Sequence, residues 1–127
     1  MDTNTTDELL RPDLRNVRVI VVVFAMPGCG ACDDYLPKFM HAVRQHQRWG
    51  APFHVWRPGL PVHPGTIPVL LYDAASPDLA LQDFADRLQI EATPTTAVLG
   101  RRSVHKAEGS LGPAEIDNLL YVARRMA

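Results

Sequence analysis

From Val17 to Phe24 the chain is an almost unbroken apolar run, most of it β-branched (Val-Arg-Val-Ile-Val-Val-Val-Phe). Such a run suits a strand covered on both faces, the place of a central strand in a helix-flanked sheet. After Pro27-Gly28 the period changes. Tyr35, Leu36, Phe39, Met40 and Val43 recur at three- and four-residue intervals, with Lys38, Arg44, Gln45 and Gln47 on the other face. This is the stripe of an amphipathic helix that begins at Ala31. Gly50 and Pro52 end it near Trp49. Pro37 lies inside the stripe and is expected to kink it.

The segment from Ala51 to Pro68 carries five prolines in eighteen residues. Regular structure is not expected through most of it, and it reads as a proline-rich insertion (51–68) that packs on the surface without supplying a central strand. Phe53 to Trp56 is a candidate for a short strand, and Ile67 to Tyr72 is a better one. Leu81, Phe84, Ala85 and Leu88 then mark a short helix. Thr95 to Leu99 reads as a strand that Gly100-Arg101-Arg102 turns back into Ser103 to Ala107, a hairpin. Pro113 opens a last helix, whose buried stripe is Ile116, Leu119, Leu120, Ala123 and Met126. Ahead of these elements, residues 1–16 form a tail with one helical turn through Leu9 and Leu10 that Pro12 breaks. The order implies an α/β fold over residues 17–127: a mixed central sheet with helices on both faces, joined first by a right-handed parallel crossover. There is no internal repeat and no domain boundary.

Composition narrows the function. At 127 residues the chain can bury an adequate core without staples. A net charge of −1, from thirteen basic and fourteen acidic residues, provides no footprint for nucleic acid and no basic face for anionic lipid. The longest apolar run is a strand's length rather than the ~20 residues of a spanning helix. The N-terminus is polar and acidic, unlike a secretory signal. The expected setting is therefore cytoplasmic, with no nucleic-acid or membrane partner. A structural disulfide is out of place there, so two cysteines spaced C-x-x-C, Cys29 and Cys32, need another explanation.

That spacing falls where the buried strand runs into the first helix. Cys29 would then sit at a helix N-terminus, where unpaired N–H groups and the macrodipole favour a thiolate. The thiolate is the form that attacks disulfides. Cys32, one turn on, lies on the same side and is placed to resolve a mixed disulfide, while Gly30 and Ala31 add little bulk between them. Two other readings stand beside this one: a pair of buried structural thiols, and half of a metal site. Structural zinc usually takes four ligands, and the chain has no second C-x-x-C or closely spaced histidine pair, so no metal is assigned. The five histidines are scattered and read as surface residues.

Phe24-Ala25-Met26-Pro27-Gly28-Cys29-Gly30-Ala31-Cys32 resembles the strand–turn–active-site segment of the thioredoxins. Pro37, five residues after Cys32, matches that family's helix-kinking proline. Ala92-Thr93-Pro94-Thr95 matches the stretch bearing its cis-proline. The following strand, the Gly100 turn, Gly109 and the last helix fall in the family's order. Three features depart from it. Val23 stands where many thioredoxins carry a buried carboxylate, Gly28 replaces the usual tryptophan, and residues 51–68 look inserted.

The resemblance implies a thioredoxin-like fold and a thiol–disulfide oxidoreductase in which Cys29 attacks and Cys32 resolves as a redox disulfide. Gly30, Ala31, Thr93 and Pro94 would then border the substrate, which is a protein or a small-molecule disulfide. The chain has no Gly-rich dinucleotide fingerprint and no cofactor is assigned, so electrons come from a partner reductase or a small thiol. A monomer is the expected state. The departures sustain a rival reading, a thioredoxin-fold binding or structural module in a larger assembly with a vestigial dithiol. Asp33 and Asp34 favour the helix dipole and, as negative charges near the sulfurs, oppose the thiolate. This implies a reductant-like potential nearer ~−270 mV than ~−120 mV.

Overall fold

The computed structural model describes residues 17–57 and 59–127. The helical turn expected through Leu9 and Leu10 lies outside the described residues. The chain runs β1 (Val19–Ala25), α1 (Gly30–Arg48), β2 (Phe53–Val55), β3 (Ile67–Asp73), α2 (Leu79–Arg87), β4 (Thr95–Gly100), β5 (Val104–Glu108) and α3 (Pro113–Met126). The five strands form one sheet in the order β2-β3-β1-β4-β5. β1 and β2 each run parallel to β3, while β4 is antiparallel to β1 and β5 to β4. The sheet is thus mixed, with β1 at its centre.

The two faces follow from the two-residue period of β1. Val19, Val21 and Val23 point to one side and meet Tyr35, Phe39 and Val43 of α1 and Ile116, Leu120 and Ala123 of α3. Ile20, Val22 and Phe24 point to the other side and meet Trp56, Phe84 and Leu88. Because both faces are covered, the strand has no polar side, which is why it reads as a continuous apolar run.

Residues 51–68 are not an excursion throughout. Phe53 to Val55 pairs with Ile67 to Val69 as an edge strand of the sheet, and the described residues between β2 and β3 belong to no helix or strand. Trp56 is folded inward with 1% exposure, its indole N–H donating to the Leu60 carbonyl at 3.0 Å. The proline-rich link therefore closes over one of the largest side chains of the core.

His46 also departs from the surface reading. It is fully buried in the last turn of α1, ringed by Trp49, Phe53 and Tyr121, and its Nε2 meets Asp117 Oδ1 of α3 at 2.9 Å. This contact fastens the two helices that share a face. Asp117→Ala leaves the imidazole without that partner in a buried site and is expected to cost about 1–3 kcal/mol, measured as a fall in the denaturant midpoint at unchanged slope.

Candidate active site

At the C-terminal end of β1 the chain leaves the sheet through Pro27 and Gly28 and enters α1. Gly28 has φ +76°, a left-handed conformation that costs glycine nothing and a side chain with a Cβ a penalty. The glycine that replaces the usual tryptophan thus suits the backbone it occupies. Cys29 is the N-cap of α1, and its sulfur accepts the Cys32 N–H at 3.1 Å. One of the four orphan donors of the helix N-terminus is therefore spent on this sulfur. Cys29 and Cys32 form a disulfide, with Cα atoms 5.2 Å apart. Cys29 remains half-buried, Gly30 and Ala31 are exposed, and Cys32 is buried. Only the first sulfur of the pair faces outward.

The loop before β4 supplies the opposite wall. The Thr93–Pro94 peptide bond is cis. Thr93 Oγ1–H donates to Cys29 Sγ at 3.6 Å, and the Thr93 carbonyl oxygen lies 3.5 Å from the same sulfur. Pro94 is buried behind it, and its carbonyl accepts the Gly109 N–H at 2.8 Å. The structure thus brings together all six residues singled out in the sequence, Cys29, Gly30, Ala31, Cys32, Thr93 and Pro94. Sequence alone did not reveal the Thr93 hydroxyl as a sulfur donor, because the two residues are 64 positions apart.

Beneath the pair lies polarity without charge. Val23 is fully buried and faces Thr96 across the β1–β4 ladder. The Thr96 hydroxyl shares a 2.6 Å hydrogen bond with the hydroxyl of Tyr35, three residues beyond Cys32. Burial pushes the Tyr35 phenol up to about 12, against a smaller opposing effect of that hydrogen bond. It is therefore a neutral hydroxyl at physiological pH and not a base.

The two acidic residues that follow Cys32 differ. Asp34 accepts from Ser110 Oγ–H at 2.7 Å and pairs with Lys38 at 3.2 Å, and these two partners hold its carboxyl below the usual range. Its charge is matched by a neighbouring cation, so Asp33 is the carboxylate left to act on the sulfurs. Among the described residues no group of three metal-ligating side chains converges, and no helix is long and apolar enough to cross a membrane.

Comparison with solved structures finds the same fold in thioredoxins. Chloroplastic thioredoxin z superposes with a TM-score of 0.56 at 17% identity, over 87% of this chain and 82% of that one. Thioredoxin-2 of the malaria parasite, a component of that organism's protein secretion machinery, gives 0.58 at 14% identity over 83% and 82%. Fasciola hepatica thioredoxin gives 0.54 at 16% over 87% and 82%. No protein-family model and no curated protein matches the sequence. The chain has the thioredoxin fold, with a disulfide-forming C-x-x-C pair at the start of its first helix.

Proposed function

We propose that the chain is a cytoplasmic thiol–disulfide oxidoreductase, with Cys29 as nucleophile and Cys32 as resolving thiol. The observation that carries this reading is the contrast between the sulfurs: Cys29 half-exposed at a helix N-terminus beside two hydrogen-bond donors, Cys32 buried one turn behind it. In the reduced state the Cys32 N–H and the Thr93 hydroxyl both stabilise a Cys29 thiolate.

The thiolate attacks one sulfur of a substrate disulfide, and a Cys29–substrate bond forms as the substrate's own bond breaks and releases a thiolate. Cys32, once deprotonated, attacks Cys29, releases the second substrate sulfur and leaves the Cys29–Cys32 disulfide. Two electrons pass from the dithiol to the substrate, and a partner reductase or small thiol returns them. Gly30 and Ala31 keep the approach open, and the backbone of Thr93 beside Pro94 pairs with an extended substrate chain. Protein disulfides and small disulfides both fit so open a site.

Equilibration against glutathione buffers tests this reading, with a single two-electron transition expected for the pair. The same titration reports on the neighbours of the sulfur. Thr93→Val withdraws about 1 kcal/mol of thiolate stabilisation and is expected to lower the potential by roughly 20 mV. Asp33→Asn should raise it. Because Lys38 and Ser110 already engage Asp34, Asp33→Asn alone should reproduce most of the shift of the Asp33→Asn/Asp34→Asn pair. An equal share from Asp34 would contradict that assignment of charge.

A further inference from the structure

Folding brings two of the scattered histidines together at the edge of the sheet. His54 is the middle residue of β2, in register with Pro68 of β3, and His63 lies in the link between those strands. Their rings stand 4.9 Å apart between centroids, at 88° to one another. Two imidazoles on one metal ion, each with a nitrogen ~2.0–2.1 Å from it and ~90–110° apart, place their centroids roughly 4.5–5.2 Å from each other. The observed spacing falls inside that interval.

Neither ring is committed elsewhere. Among the described residues no ring nitrogen of His54 or His63 has a hydrogen-bond partner, whereas His46 Nε2 is held by Asp117. His54 is half-buried, yet its nitrogens are not sealed from solvent as His46 Nδ1 is, and His63 is exposed. Ions in solution therefore reach the pair. The backbone beneath it is fixed at both places. The β2–β3 ladder holds His54, and the Thr66 N–H and Oγ1–H both donate to the His63 carbonyl, at 3.3 and 2.7 Å. Val62, next to His63, packs on the cluster that contains Trp56. Little ordering of the chain is left to oppose binding.

We infer that His54 and His63 form a two-imidazole site for a divalent transition-metal ion of the copper, nickel or zinc type, with water in the remaining positions. Imidazole suits these ions, whereas magnesium and calcium take oxygen ligands. The site is separate from the cysteine pair. His63 borders a cavity with Val17, Arg18 and Val19, where the chain enters β1, and Cys29 follows the other end of that strand. An ion that bridges β2 to the link ties down the segment that closes over Trp56.

The test is a cupric-ion titration of the full chain with Cys29–Cys32 oxidised, which takes the thiols out of play, at pH ~7.5, where free imidazole is mostly neutral. In a Trp49→Phe background Trp56 is the sole tryptophan of the chain, and the paramagnetic ion is expected to quench it at one equivalent. His54→Gln and His63→Gln should each weaken binding at least about tenfold, since disturbing even an outer-shell partner of a ligand costs that much. His41→Gln with His105→Gln, both exposed, should leave it unchanged. Electron paramagnetic resonance should count two coordinated nitrogens in the wild type and one in either single variant. Zinc should compete with the cupric ion and raise the Tm of the wild type but not of the variants, and magnesium should do neither. His63 lies outside the strand ladder, so His63→Gln should keep the wild-type Tm in the absence of metal. Equal affinity in the wild type and His63→Gln, or a two-nitrogen spectrum that persists in that variant, would overturn the site and leave the contact as ring packing alone. If His63→Gln proved unstable, a two-nitrogen spectrum kept in His41→Gln/His105→Gln and lost in His54→Gln would support the site, and one kept in His54→Gln would overturn it.

Discussion

Cys29→Ser is expected to lower the rate of disulfide reduction by at least about a thousandfold, the scale on which loss of a catalytic nucleophile acts. Serine keeps the shape of the N-cap and still accepts the Cys32 N–H, so the fold of α1 is retained and the loss is chemical. Cys32→Ser should behave differently. Cys29 keeps the donors that favour its thiolate and completes the first attack, but the mixed disulfide then persists because no thiol stands behind it. Mass spectrometry after mixing with a disulfide peptide should find one peptide attached to Cys29 in the Cys32→Ser variant and none on the Cys29→Ser variant. A stable adduct on Cys32 in the Cys29→Ser variant, formed as fast as the one on Cys29, would reverse the assigned roles.

The second large effect concerns Val23. Restoring the carboxylate that many thioredoxins carry there, as Val23→Asp, places an ionisable group in a site with no exposure, among Tyr35, Phe39 and Val98. No cation faces it across either ladder: its register partners are Leu71 and Thr96. The expected loss of stability is about 3 kcal/mol or more at neutral pH. Its pH dependence has a definite sign. Burial raises the carboxyl in the folded chain above its value of about 4 in the unfolded chain. Below that value the group is protonated in both states and the penalty is smallest. As pH rises the unfolded chain ionises first, so the penalty grows until the folded carboxyl ionises as well. Thermal unfolding of wild type and variant from pH 4 to 8 checks this, with the gap in Tm expected to widen toward neutral pH. A gap that is constant or narrows would mean that the neighbouring Tyr35–Thr96 pair solvates the charge.

The parts of the fold that could be read in the sequence are those with an unmixed period. β1 is apolar on both faces because helices cover both, and α1 and α3 repeat their buried residues at helix spacing over about two turns or more. β2 was only a candidate, since three residues are too few to establish a period and prolines surround it. The burial of Trp56 and of His46 could not be read either. His46 needs Asp117, 71 positions away, and nothing local to either residue announces the other.

The site divides along the same line. Cys29, Gly30, Ala31 and Cys32 form one continuous motif, and Thr93-Pro94 was found through its family register. The Thr93 hydroxyl contact and the Ser110–Asp34 hydrogen bond emerge only when separate elements are folded together.

The central claim is that this dithiol turns over. The most direct test is multiple-turnover reduction of a protein disulfide by the wild-type chain in a buffer with a small dithiol as electron source, followed as release of the reduced substrate chains. The account predicts a rate proportional to protein concentration, well above the buffer alone, and lost in Cys29→Ser. A rate equal to that of the buffer alone, from protein whose Cys29–Cys32 pair is shown to be reduced, would contradict it and leave the fold as a binding scaffold.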